Sequence, residues 1–345
     1  MKFIKRAVLL SSAMMTVSGV FSQEQSQDSR KSEYIPEIHG TIRAKYEYEP
    51  GIDKGRFEIR NARISVEGKA IPIVRYKAEI DLSDEGAIKM LDAYIRLQPN
   101  NRWKFTFGQM RVPFTIDAHR SPYLQYFANR SFIAKQAGNV RDVGAAFAWT
   151  FGNKFPVTLE GGIFNGSGLT DQKDFWTNNY NFSFKAQTII ARQFNVSLSC
   201  QKANVGSTDI MIYDAGAYWE NSHWHIEAEY LRKLYAHGAF KPVNAIDAFA
   251  AYKLPVKNGL ASISFLGRYD YMSDHNRGGV DNLGNLKTDD PSRHRLTGGI
   301  TLGMMGRKSL QADIRLNFEQ YFYRKDVVPA ISERNKIIAE FVVHF

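Results

Sequence analysis

The sequence predicts an all-β protein: a 16-stranded antiparallel transmembrane β-barrel with an inward-folded third loop. Three observations carry that prediction. Apolar and charged residues alternate with a period of two, again and again along the chain. The connections between these stretches alternate between short and long. Aromatic residues gather at the ends of the stretches, on their apolar side.

The first stretch, EIHGTIRAKYEYE at 37–49, shows the pattern. Ile38, Ile42, Ala44, Tyr46 and Tyr48 share one face, while Arg43, Lys45, Glu47 and Glu49 share the other. Successive side chains of a strand point to opposite faces, so one face is greasy and the other ionic. The pattern returns in 73–82, 91–98, 224–229 and 310–319. It ends with Ile337, Ala339, Phe341, Val343 and Phe345 in one phase. Strand centres fall near residues 43, 63, 77, 94, 106, 147, 161, 185, 198, 215, 227, 249, 266, 299, 314 and 340. In the second strand Phe57 and Ile59 are out of phase with Ala62, Ile64 and Val66, which calls for a β-bulge near Arg60–Asn61.

Short connections at 70–72, 99–102, 152–156, 192–193, 221–222, 255–259 and 304–307 belong on one rim. The others are longer on average, at 111–140, 166–179, 232–243, 272–292 and 322–334, although 50–55, 83–87 and 203–208 are brief. That asymmetry is typical of bacterial outer-membrane barrels, and an even strand number returns both chain ends to the short-turn side. A closed barrel leaves no sheet edge, as a bilayer requires. The apolar face then meets lipid and the charged face lines water. Tyr46, Tyr48, Trp103, Phe151, Trp219, Trp224, Tyr252, Tyr271 and Phe318 suit the membrane–water interfaces.

The N-terminus reads differently. Residues 1–22 have a basic start (Lys2, Lys5, Arg6), an apolar run and small residues before Gln23, the pattern of a signal peptide. Residues 23–36 form a lead segment and 37–345 the barrel. The whole chain carries +10. Removing the signal removes three bases and no acids, which leaves a net charge near +7. A positive chain suits nucleic acid, anionic lipid or small anions, and export argues against nucleic acid. Cys200 is the sole cysteine, so no intrachain disulfide forms. Mean hydropathy is −0.35 and no apolar run beyond residue 22 approaches 18 residues, which excludes a helical membrane protein.

A barrel of about sixteen strands is too wide for side chains to fill. Function then depends on what narrows it. The connection 111–140 is the longest, rich in aromatics, and reads as the element that folds inward. From Met110 to Arg141 it carries Arg111, Arg120, Arg130, Lys135 and Arg141 against Asp117 alone, a charge of +4. Such a constriction lowers the barrier to anions. Arg43, Lys45, Arg63, Arg75 and Lys77 join the expected anion path along the wall. In the first and third strands the bases precede the acids, and in the second and fourth, which run the other way, Glu67 precedes Lys69 and Asp92 precedes Arg96, as a basic band deeper in the channel would require; cross-strand ion pairing is the alternative.

Motifs across the chain then make it similar to a known family. RNARISVEG at 60–68, FGQMRVPFT at 107–115, RDVGAAF at 141–147, GIFNGSG at 162–168, GRYDY at 267–271 and RLNFEQYF at 315–322 resemble the phosphate-selective porin O and P family in its Bacteroidetes-type form. The closing EFVVHF looks like the terminal aromatic signature read by the outer-membrane assembly machinery, through Phe345. The resemblance implies a 16-stranded porin in the outer membrane of a Gram-negative bacterium, a homotrimer, and passage of small anions such as phosphate or polyphosphate. It implies no cofactor, and outer-membrane lipid as surroundings.

Other chemistries fit the sequence less well. An all-β binding protein for glycans or anions, without channel activity, shares the alternation. Catalysis finds little support: Ser222, His223, His225 and Glu227 lie close in sequence, yet Ser222 and His223 fall at a short turn and match no nucleophile elbow. One H-x-H is not a metal site. Asp274, Asp281, Asp289 and Asp290 in loop 272–292 do not follow the spacing of a twelve-residue calcium loop.

Overall fold

Sixteen antiparallel strands close on themselves in a computed structural model that describes residues 34–84, 86–136, 140–170, 172–256, 259–304 and 310–345. The expected signal peptide and most of the lead segment lie outside the described residues. The first eight strands are β1 (Glu37–Glu49), β2 (Lys54–Ile71), β3 (Val74–Asp84), β4 (Ala87–Leu97), β5 (Trp103–Arg111), β6 (Arg141–Phe151), β7 (Val157–Phe164) and β8 (Asn181–Ile190). The second eight are β9 (Phe194–Val205), β10 (Thr208–Glu220), β11 (Trp224–Tyr235), β12 (Val243–Pro255), β13 (Leu260–Met272), β14 (Arg293–Met304), β15 (Gln311–Tyr323) and β16 (Lys336–His344). Every expected centre falls inside its strand. Neighbours in sequence are neighbours in the sheet, and β1 pairs with β16 to close it.

The expected bulge is present. Arg43 faces Asn61 and Ala44 faces Ile59, so Arg60 is the extra residue in β2. It puts Phe57 and Ile59 back on the outer face, where Phe57 is 87% exposed. Ile38, Ile42, Ile64, Leu198, Phe265, Leu316 and Phe341 are exposed on the same surface. An apolar surface of that extent marks contact with lipid. No helix among the described residues is long and apolar enough to cross a membrane; the strands do that work.

The closing seam depends on glycine. Gly40 and Phe345 exchange two backbone hydrogen bonds, of 2.7 and 3.0 Å. The Phe345 ring lies where a side chain at position 40 would stand. The rings of Tyr46 and Tyr76 cover Gly55 and Gly68 in the same way. Aromatic rings over glycines pin the register of neighbouring strands. Gly40→Leu is expected to expel the Phe345 ring and cost about 1–3 kcal/mol. The folded, fast-migrating form on an unheated detergent gel should then convert at a lower temperature than in the parent. An unchanged conversion temperature would refute this role for the seam.

Inside, the charged face is not freely solvated. Arg43, Arg295, Arg315, Glu319 and Glu340 are each 2% exposed or less. Ionised groups are buried only in pairs. Arg315 and Glu340 stand opposite each other in register and meet at 3.1 Å. Arg295 meets Asp270 at 2.8 Å and Glu319 at 3.3 Å. What buries them is the third outer loop, whose residues 112–136 lie within the barrel.

Candidate functional site

The third loop is fastened at one side by apolar packing and elsewhere by arginines. It contains two single 3₁₀ turns, Asp117–His119 and Pro122–Leu124, and a short helix, α1 (Phe132–Gln136). Phe114, Phe132 and Ile133 pack on Ile210, Ile212, Leu231, Val243, Ala245 and Met272 of β10–β13. Those wall residues occupy lumen-facing positions, so in the outer half of these strands both faces are apolar. The apolar inner patch replaces water at the wall with α1.

The polar fasteners come from β1 and from β13–β15. Arg43 donates from Nε to Glu340 at 2.9 Å and from Nη2 to the Ala128 carbonyl at 2.7 Å, and its Nη1 bonds Gln125. Arg315 donates to the Tyr123 carbonyl at 3.0 Å, Arg268 to that of Asn129 at 3.0 Å, and Arg295 to that of Arg130 at 2.7 Å. On the other side Ser183 donates to the Pro113 carbonyl at 2.6 Å and Lys185 to that of Thr115. Arg120 joins Asp117 at 3.0 Å and Glu227 of β11. At the outer end Lys135 meets Glu333 of the last loop at 2.7 Å. Burial works to raise the Glu333 carboxyl, but Arg293 and Lys135 overcome it and hold it below the usual carboxylate range.

The ten residues expected on the anion path therefore divide. Arg43 and Arg120 are arms that hold the loop. Lys45 meets Glu47 at 2.7 Å and Glu58 at 3.4 Å. Arg63 meets Asp81 at 2.9 Å and Glu79 at 3.2 Å, and Arg141 meets Asp92 at 2.7 Å. Lys77 stands 3.5 Å from Glu67 and 3.4 Å from Glu79. Lys135 is at the outer rim. The order of bases and acids along the strands thus becomes ion pairing between them. Arg111, Arg130 and Arg75 make no ion pair among the described residues. Arg111 donates to the His119 carbonyl. Arg130 donates only to the carbonyls of Asp117, Ala118 and Arg120.

Arg130 borders a cavity of about 710 Å³ between the loop and β1–β4. Six bases line it, Arg43, Arg56, Arg60, Arg63, Lys89 and Arg130, against two acids, Glu58 and Asp81. Its outer lip is low. β2 pairs with β1 from Lys54 onward but with β3 only from Arg63, because the β3–β4 hairpin ends early. Asp81 seals the exposed ladder there, accepting from the Ala62 amide at 3.1 Å and from Arg63. A second basic zone lies below, near the short turns. Lys69 stands opposite Arg75, and Arg75 opposite Arg96, in register across β2, β3 and β4, with Lys104 on β5 beyond. Like charges directly opposite repel, so this row concentrates positive charge on the lumen wall.

Arg56, Arg60, Lys89 and Lys104 are absent from the expected path, and the bulge itself exposes Arg60. Parity with Asp92 already places Arg96 on the polar face of its strand, where it stands opposite Arg75. The residues considered for catalysis are occupied otherwise. Ser222 contacts His223 at 2.8 Å on an exposed turn, and His225 contacts Glu227, which Arg120 also holds. The four loop aspartates are likewise engaged. Asp274 pairs with Lys241 and Asp290 with Arg277 and Arg293. Asp281 and Asp289 accept backbone amides.

Comparison with known proteins fits this geometry. The family model for phosphate-selective porin O and P matches residues 38–201. A comparison with curated sequences found no match. Among solved structures, an anion-selective porin from Comamonas acidovorans is similar with a TM-score of 0.62 at 11% identity, covering 90% of this chain and 98% of that one. The outer membrane channel DcaP of Acinetobacter baumannii gives 0.58 at 11% identity, covering 91% and 98%. OmpT of Vibrio cholerae, an outer membrane protein in its trimer form, gives 0.58 at 10% identity, covering 90% and 98%. At such identities the likeness speaks for the fold: a closed outer-membrane-type barrel.

Proposed function

We propose that this chain, whose residues 38–201 match the family model for phosphate-selective porin O and P, is a passive outer-membrane channel that admits small anions, phosphate and polyphosphate among them, in preference to cations. The observation that carries this reading is the cavity beside Arg130, with six bases against two acids on the route past the loop. An anion there meets guanidinium donors beside the protein wall, where charge acts more strongly than in bulk water. The in-register row of Lys69, Arg75 and Arg96 gives it a second station toward the short-turn rim. Arg111, Arg120, Arg130, Lys135, Arg141, Arg43, Lys45, Arg63, Arg75 and Lys77 serve this path in two ways: some face the solute, others hold the loop that shapes it. The named likeness to an anion-selective porin supports the sign of the preference.

The same reading takes residues 1–22 as a signal peptide, places 37–345 in the outer membrane of a Gram-negative bacterium, and has Phe345 present the assembly signal. A homotrimer is part of it, supported by the trimer form of the similar Vibrio cholerae protein. No step of bond making or breaking is assigned to the chain.

Planar-bilayer recording tests the proposal. In a potassium chloride gradient the reversal potential should take the sign of chloride selectivity, and added phosphate should block chloride current in a concentration-dependent way. A cation-selective or absent conductance from folded protein would overturn it, and leave the all-β binding protein as the better reading.

A further inference from the structure

One cluster of metal-ligating side chains stands apart from the cavity and the loop. Glu37 and His39 lie two residues apart on the lumen face of β1. Glu67 of β2 stands directly opposite Glu37 in register. His39 Nε2 is 3.6 Å from a Glu37 oxygen and 3.7 Å from a Glu67 oxygen, and the three ligand atoms all lie within 4.8 Å of one another. Among the described residues no other group of three or more His, Cys, Asp or Glu side chains is so placed.

From this geometry we propose that Glu37, His39 and Glu67 bind a divalent transition-metal cation of the zinc class at the short-turn mouth of the barrel. One imidazole with two carboxylates is a donor set that suits zinc better than calcium or magnesium, which take oxygen ligands throughout. Zinc holds nitrogen and oxygen ligands at about 2.0–2.2 Å, so tetrahedral ligands stand roughly 3.3–3.5 Å apart. The two His39–carboxylate separations, 3.6 and 3.7 Å, are already close to that spacing, and the two carboxylates, within 4.8 Å of each other, need to close by about 1.5 Å at most, a rotation open to partly exposed glutamate side chains. Two hydrogen-bonded strands hold all three residues, so the site needs no loop to order. Two carboxylates facing each other across a strand pair repel, and a cation between them removes that repulsion. Lys77, 3.5 Å from Glu67, is the competing cation; it stands equally near Glu79 at 3.4 Å and stays paired when Glu67 turns to the metal. Three ligands leave a coordination position for water or a passing anion. Lys69 follows Glu67 by two residues on the same strand, which puts the metal beside the basic row. A bound dication there would make this mouth more attractive to anions, a consequence that rests on the channel reading; the binding itself does not.

Titration of the folded, detergent-solubilised protein with cobalt(II), followed by displacement with zinc, tests the site. The expected result is one visible-absorbing cobalt per chain, displaced by zinc. His39→Ala should abolish the spectrum and Glu67→Gln should weaken affinity about tenfold or more. His39 and Glu67 are both partly exposed, so the variants should keep the fast-migrating folded band. Equal cobalt affinity in His39→Ala, or no spectrum in the parent protein, would overturn the proposal. In bilayers, zinc added on the short-turn side alone should shift the reversal potential further toward anions, and not in His39→Ala. Specific binding without any conducting channel would support the metal site and count against the channel reading instead.

Discussion

Replacing Arg43 by alanine is expected to unseat the third loop. Arg43 is fully buried and makes bonds in three directions, to Glu340, to the Gln125 side chain and to the Ala128 carbonyl. Its removal leaves Gln125 and Ala128 without their donor and Glu340 with Arg315 as its remaining partner. Breaking a buried pair at one end typically costs roughly 3–5 kcal/mol, because the surviving charge stays desolvated. Two readouts should move together: the conversion temperature on detergent gels falls, and single-channel current becomes larger and noisier as the loop leaves its seat. The double replacement Arg43→Met with Glu340→Met separates the causes. Exchanging both partners for apolar groups should recover most of the thermal stability while the loop stays loose. If Arg43→Ala conducts with parental amplitude and noise, this arginine does not hold the loop.

Charge reversal at the outer lip should have the largest effect on ion preference. Arg60→Glu with Lys89→Glu turns a lining of six bases and two acids into four of each. Each unit charge at about 8 Å acts on a permeating ion with roughly 0.5 kcal/mol in water. Four units, partly screened by salt, then amount to about 1–2 kcal/mol, or about a tenfold drop in the permeability of chloride relative to potassium. Arg60 is exposed at the bulge and only 3.9 Å from its nearest acid, Glu58, so the barrel should fold as before. Arg60→Lys with Lys89→Arg is the control that should leave the reversal potential in place. Chloride preference undiminished by the double reversal would move selectivity elsewhere, to the row at Arg75 and Arg96.

The barrel was legible because a membrane imposes a simple rule on every strand. Each crossing must be apolar outside and polar inside, so parity alone locates strands and even the bulge at Arg60. The site was less legible because parity says which face a residue takes and nothing about which residue meets it. Arg43 and Arg130 look alike in sequence. One bonds Glu340 and loop atoms; the other has carbonyl partners alone and borders the cavity. That difference is set by cross-strand register and by the course of the loop, neither of which is local. A signal for the loop's seat did exist: Ile210 and Ile212 are apolar in the phase that elsewhere is ionic, which marks a stretch of inner wall meant to be covered.

The seam between Gly40 and Phe345 joins the two ends of the strand order. Thr41 and His344 hydrogen-bond across it at 3.0 Å although they are separated by 303 positions in the chain. Contacts so remote in sequence bear the full entropy of closing the intervening chain, and they form slowly. Since β1 and β16 stand at opposite ends of the strand order, all sixteen strands must be present before the cylinder can shut. A sheet lacking β16 would stay unrolled with two naked borders, a template for aggregation, so the last strand is what turns an adhesive ribbon into a cylinder without edges.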